Sequence, residues 1–334
     1  DIGHPAHIHY FKNFIWLMQE RSHDFLLIAR DKEVTHWLLE NMGFQYETRG
    51  KGGKKLVEKI LYIPKADSII LKHALKFKPD ILLSFSSTYA AHVSRLIRKP
   101  HITFDDTEHA KLELLMYPPF TETIVTPECF TKNLGKKHLR FNGYMELCYL
   151  HPKYFKPDES IKDVLKVGNE KYSIIRFVSW NASHDIGHGG LNYNTKVDLI
   201  DKLSNETKIF ISSEADLPPE FEKYRLNLPP ERLHDALAFA SLYIGEGATT
   251  ASECAILGTP AIYINSLSVC YCTEQEKKYK LLYNFKNSDG LVEKAMEILN
   301  DSNYKLELLK KRDTMISEKI DVTEFMVWLI ENYP

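Results

Sequence analysis

Long apolar runs are missing from this sequence. None approaches the ~20 residues that a membrane span needs, and no signal-peptide pattern precedes the first element. A soluble, cytoplasmic protein with at most peripheral membrane contact is expected. An excess of charge of one sign is missing too: Lys and Arg total 43 against 45 Asp and Glu, so no overall positive field points to nucleic acid. Local basic runs such as Lys51-Gly-Gly-Lys-Lys55 and Lys277-Lys278-Tyr-Lys280 read as solvated faces. Cysteine is scarce. The five present are odd in number and lack framework spacing, which indicates reduced thiols, and Cys270-Tyr-Cys272 has no second pair to complete a zinc site. Neither repeats at solenoid periods nor low-complexity segments occur.

What is present is an alternation of strand and helix, clearest in Leu242-Tyr-Ile-Gly-Glu-Gly-Ala-Thr-Thr-Ala-Ser-Glu-Cys-Ala-Ile-Leu-Gly-Thr-Pro-Ala-Ile-Tyr-Ile264. Turn and capping rules make this a buried strand, a Gly-rich turn, a short helix closed by Gly258, and a second strand opened by Pro260. Gly245 and Gly247 allow the backbone close to a ligand. Ala248, Thr249 and Thr250 place amides and hydroxyls at a helix N-terminus, which favours an anion such as phosphate. Glu253, three residues after Thr250, has two readings: it closes a capping box on its own helix, or it turns outward to a ribose hydroxyl pair.

The opening Asp1-Ile-Gly-His-Pro5 reads as the loop after a strand, so a first strand is expected ahead of Asp1, and a helix is predicted from about Tyr10 to Arg21. Strands are predicted at 24–30, 44–47, 81–85, 101–104 and 123–126, the last of this half, with helices at 32–42, 54–77 and 89–97. The Pro- and aromatic-rich segment 141–157 reads as a connection. Beyond it, strands at 172–179 and 208–212 and helices at 195–203 and 233–240 lead into the unit described above. Helices at 290–300, 303–319 and 322–333 close the chain, the last with an apolar stripe that needs a surface to cover. Two successive α/β halves of this kind predict two Rossmann-like domains facing one another across a cleft, with ligands at the carboxyl ends of the strands. Their limits are expected at 1–150 and 151–319.

Over most of its length the chain resembles the GT-B superfamily of two-domain nucleotide-sugar enzymes, especially the non-hydrolysing UDP-N-acetylglucosamine 2-epimerases. Closer still, Arg30-Asp-Lys-Glu-Val34, Phe104-Asp-Asp-Thr-Glu-His109, Trp180-Asn-Ala-Ser-His-Asp185 and Gly143-Tyr-Met-Glu146 are similar to a family of uncharacterised microbial proteins, a domain of unknown function, placed in that superfamily. The resemblance implies that the Gly-rich turn binds a diphosphate and that Glu253, followed by Leu257-Gly-Thr-Pro260, holds the uridine ribose. Where the epimerases carry a nucleotide-contacting His-Arg pair this chain has His184-Asp185. His184 is then expected to donate to the phosphates, with Asp185 orienting it or facing the sugar; the rival reading is a loop histidine and an N-cap aspartate. Pro79-Asp80 matches the epimerase pattern, but the aspartate expected at the far end of that strand is Ser87, which weakens a proton-abstraction mechanism. After the next strand the epimerase glutamate aligns with Asp105, and Asp106 and Glu108 lie beside it. Adjacent carboxylates without spaced ligands read as a strand-end turn, and no metal is expected. His4 and His7 follow the first strand, where this superfamily places acceptor or catalytic groups, or else they belong to an exposed loop. Arg176, inside a strand, reaches a phosphate or pairs with a neighbouring acid. The last helix, 320–334, is expected to pack back on the first domain through Phe325, Val327, Trp328 and Leu329.

Together these readings imply a glycosyltransferase that uses a nucleotide sugar, with uridine implied as the base, in surface polysaccharide or glycolipid biosynthesis. It needs no cofactor beyond that substrate. Asp105, Glu108 or His7 is the expected base and His184 acts near the phosphates. Its partners are the nucleotide sugar and a glycan or lipid-linked acceptor, and a homodimer is compatible with this scheme. The rivals are a UDP-sugar 2-epimerase and a non-catalytic sugar-nucleotide or glycan-binding protein.

Overall fold

The computed structural model describes residues 1–53, 56–178, 191–213 and 216–334. The fold is α/β, and the chain divides into two compact units, Asp1–Tyr149 with Ile320–Pro334, and Leu150–Lys319.

The first unit holds β1 (Leu27–Ala29), β2 (Tyr46–Thr48), β3 (Leu82–Phe85), β4 (His101–Phe104), β5 (Thr123–Pro127) and β6 (His138–Phe141). β1 and β2 pair in parallel, and so do β3-β4-β5-β6 in that order. The opening residues run between the two sets: Ile2 bridges Ala29, and the Asp1 amine donates to the Leu83 carbonyl at 2.9 Å. All four residues of β4 are buried, as expected of a strand covered on both faces. The second unit holds β7 (Tyr172–Phe177), β8 (Lys208–Ser213), β9 (Leu242–Gly245), β10 (Ala261–Ile264) and β11 (Tyr283–Phe285). Their order is β11-β10-β9-β7-β8, again all parallel. Its core joins Ile175, Ile211, Ile244 and Ile262 from the sheet to Leu199, Leu203, Leu291 and Ile298 from the helices.

Three expectations are corrected. The first helix spans Pro5–Glu20 rather than starting near Tyr10. Proline is preorganised for a first helical position, and the His4 side chain caps the end by accepting from the Ala6 amide at 3.2 Å. Strands β6 and β11 are additional. Both lie at sheet edges, where β6 buries only Phe141 and β11 buries nothing fully, so neither shows an apolar run. Trp328 is 58% exposed. In the helix Val322–Glu331, Val322, Met326 and Leu329 share the buried face that packs toward Pro5–Glu20, whereas Trp328, six residues after Val322, lies about 240° around the axis. Phe325 stacks on Phe141 with ring centroids 5.6 Å apart, and Thr323 Oγ1 donates to the Cys148 carbonyl at 2.9 Å.

A polar network runs through the first sheet. His101 is completely buried between Ser84 Oγ and Thr121 Oγ1, each 2.9 Å from a ring nitrogen, and burial pushes its pKa down to about 3. The folded state therefore holds His101 neutral, while the unfolded chain takes up a proton near pH 6.5. Its stabilisation is complete above that value and drains as the pH falls toward the folded pKa, by up to about 1.4 kcal/mol per pH unit. Urea unfolding of the wild type and His101→Gln at pH 7, 6 and 5 should show a gap that narrows with acid. A gap constant across this range would mean that His101 titrates normally.

Candidate functional site

In the second sheet β8 lies on one side of β7 and β9 on the other, so the chain leaves this pair in opposite directions and a crevice is expected at their carboxyl ends. The Gly-rich turn lies there. Gly245 ends β9 where a Cβ would stand 2.1 Å from Tyr243 Oη and 3.1 Å from Arg176 Cβ, so no larger residue fits without displacing both. Gly247 is the N-cap of the helix Ala248–Leu257, in extended conformation, and as a glycine it brings no capping side chain. The amides of Ala248, Thr249 and Thr250 thus open a helix with no side-chain cap from the N-cap residue. Arg176 stands beside them, its Nε 3.6 Å from where a Gly247 Cβ would be, and its Nη1 donates to Ser212 Oγ at 3.0 Å. A guanidinium and a helix N-terminus converge on one place, an arrangement suited to a phosphate.

Glu253 is 5% exposed, and its Oε1 lies 2.9 Å from His234 Nε2. A capping box would require it at the third helical position, which Thr250 occupies, so the capping reading is removed. His234, from the helix Leu233–Phe239, was not singled out from the sequence. Neither was Glu246, 2% exposed, whose two oxygens accept from the Val178 and Leu191 amides at 2.9 and 2.6 Å. An acid between two glycines of a phosphate-type turn was the available signal. His184 and Asp185 lie outside the described residues.

In the first unit His4 accepts the Ala6 amide and His7 the Gly3 amide, both at Nδ1 and at 3.2 Å. A ring nitrogen that accepts an N–H carries no proton, so both rings bear theirs on Nε2. Burial, followed by nearby positive charges that include Lys32 and Arg49, holds His7 well below the usual imidazole range. His7 is therefore set up to donate a hydrogen bond rather than to take a proton. Ser87 caps the helix Thr88–Ile97 by accepting from the Ala90 amide at 3.2 Å, and its hydroxyl donates to Asp1 Oδ2. Ser87 is thus held against Asp1, whose side chain is buried and paired with Arg49 Nε at 2.8 Å.

The carboxylates after β4 divide into different roles. Asp105 accepts from Tyr117 Oη at 2.7 Å and from the Thr107 amide at 2.8 Å, so both of its oxygens serve the turn. Burial raises its pKa and those bonds oppose the rise. Glu108 is half-buried, and the Thr131 amide lies 3.4 Å from its Oε2. Asp106 is 4% exposed; Thr107 Oγ1 donates to its Oδ1 at 3.1 Å, while its Oδ2 has no partner among the described residues. Burial and the neighbouring Asp105 push it up to about 7. A buried carboxyl with an unused oxygen and a pKa near neutrality can exchange a proton at physiological pH.

The sequence pattern of a family described as protein of unknown function (DUF354) matches residues 1–333. An uncharacterized protein of Methanocaldococcus jannaschii is 24% identical over 346 residues, covering 100% of this chain and 97% of that one. The fold is shared with the Neisseria meningitidis UDP-GlcNAc 2-epimerase bound to UDP-GlcNAc, at TM-score 0.66 and 11% identity over 99% of this chain and 98% of that one. It is shared also with the spinosyn forosaminyltransferase SpnP, at TM-score 0.63 and 12% identity over 99% and 98% of the two chains. At such identities the likeness is one of GT-B fold.

The raised pKa of Asp106 has a consequence for stability. Its folded value lies above its unfolded one, so the benefit of the protonated form is complete below about pH 4 and is lost as the pH rises to about 7. Asp106→Asn, which never ionises, should melt above the wild type at pH 8, by an amount that shrinks toward pH 4. Melting curves with the same difference at both pH values would show that Asp106 ionises freely.

Proposed function

The chain belongs to the DUF354 family, and from that premise we propose that it is a GT-B-type glycosyltransferase whose donor is a nucleotide sugar, in the first instance a UDP-sugar. The observation that carries this reading is the helix N-terminus behind Gly247, which has no side chain to cap it, with Arg176 beside it at the β7–β9 crevice. There the diphosphate accepts from the amides of Ala248, Thr249 and Thr250, and Glu253, steadied by His234, takes the ribose hydroxyls. The acceptor hydroxyl forms a bond to the anomeric carbon as the bond from that carbon to the diphosphate breaks. The electron pair leaves with the diphosphate, which amides and guanidinium stabilise. The acceptor proton passes to a general base, and among the first unit's carboxyls Asp106 has the chemistry such a base needs. A glycan or lipid-linked acceptor of surface polysaccharide or glycolipid synthesis suits such chemistry.

The fold likeness to UDP-GlcNAc 2-epimerases favours a second reading, removal and return of the proton at sugar C2. Incubation with UDP-GlcNAc in deuterated water separates the two, since only epimerisation puts label at C2 without an acceptor.

Calorimetry with UDP, GDP and CDP tests the donor site. UDP should bind, and Glu253→Gln should lose about 1–3 kcal/mol, the worth of a buried charged hydrogen bond. Gly247 is extended and a Cβ there meets nothing closer than 3.6 Å, so Gly247→Asp can be accommodated as an N-cap. That variant should keep the wild-type melting temperature or exceed it, yet lose UDP binding, because its own carboxylate fills the anion position. Undiminished UDP binding by Gly247→Asp would sink the proposal.

A further inference from the structure

The helix Leu56–Phe77 turns one face to the core of the first unit and leaves another uncovered. Tyr62, Ala66, Ile70 and Ala74, at four-residue spacing, are buried, and Ile70 and Ala74 pack with Ile28, Leu82 and Val93. The outer face of such a helix is expected to be polar, and from Lys65 to Lys72 it is, with Lys65, Ser68 and Lys72 exposed, while Leu75 and Phe77 are exposed in the last turn. The first two turns depart from this pattern: Val57, Ile60 and Leu61 are 67%, 56% and 67% exposed. A lone exposed apolar side chain is ordinary, but a group of three on one uncovered stretch marks an interaction surface.

The charges around this ridge say what kind of surface it meets. Among the described residues of 51–65, Lys51, Lys59 and Lys65 are basic and Glu58 alone is acidic, in a chain whose net charge is −2. The Lys51 side chain is 82% exposed, its nearest acid being Asp31 at 3.8 Å, and Lys65 is exposed two turns further on. Apolar side chains flanked by long cationic ones match a bilayer with anionic headgroups. The apolar groups enter the acyl boundary while the ammonium groups stay among the phosphates. We propose that the amino-terminal turns of this helix dock the protein on an anionic membrane surface. The inference stands independently of the donor nucleotide; a docked first unit would lie where lipid-linked acceptors are found.

The test is co-sedimentation of the full chain with phosphatidylcholine vesicles, with and without roughly a third phosphatidylglycerol. The protein should sediment with the anionic vesicles about tenfold more than with the neutral ones, and high salt should release it. The triple variant Val57→Ser/Ile60→Ser/Leu61→Ser should lose about tenfold in binding, and Lys51→Glu/Lys65→Glu should lose the preference for phosphatidylglycerol. These side chains are exposed, so unchanged circular dichroism and melting will show both variants folded. Failure of the wild type to bind either vesicle, or equal binding by wild type and triple variant, overturns the proposal. So does a dimer in sedimentation velocity that the triple variant converts to monomer, since the ridge would then be a contact between two copies.

Discussion

A parallel strand has its backbone satisfied only by its neighbours and its two faces covered by helices, so its middle has no room for chemistry. β4, β9 and β10 illustrate the constraint, each buried along its whole length. Polar groups are driven to the strand ends. Asp105 and Asp106 follow β4, Ser87 follows β3, and the Gly-rich turn follows β9. The placing of these polar groups in both units is a consequence of how parallel sheets are covered. Within the second unit, the change of direction between β7 and β9 selects which strand ends separate enough to receive a ligand.

The same burial acts on ionisable groups in two ways. His101 is enclosed and fully hydrogen-bonded, and its suppressed charge supports the fold. Asp106 is also buried, but among the described residues only one of its oxygens is bonded, which is costly for stability and raises its pKa. Asp105, one residue away, is the contrasting case, with Tyr117 and the Thr107 amide taking both oxygens for the turn. Adjacent residues of one type thus acquire different chemistry from which hydrogen-bond donors reach them.

Much of the architecture was legible in the sequence because helix and strand periods, Gly258 after a helix and Pro260 before a strand are local signals. The edge strands β6 and β11 were not, since an edge buries too little to write an apolar pattern. The start of the first helix was hidden by histidines that read as loop residues until His4 is seen capping Pro5–Glu20. In the site, the glycines, Thr249, Thr250 and Glu253 were visible from spacing alone. His234 and Glu246 were not, because each acts through a partner distant in sequence: Glu253 is 19 residues from His234, and Leu191 is 55 from Glu246.

By itself the sequence determined the α/β class, the alternation of elements and the strand, Gly-rich turn and helix around 245–250, all of which depend on neighbours within a few residues. Only the tertiary structure decided which carboxylate holds the turn and which keeps an oxygen without a partner among the described residues. It also decided that His4 and His7 carry their proton on Nε2, and that Asp1 accepts a hydrogen bond from Ser87. Protonation and hydrogen-bond partnership depend on groups brought together across the fold, and their distances are not written in the order of residues along the chain.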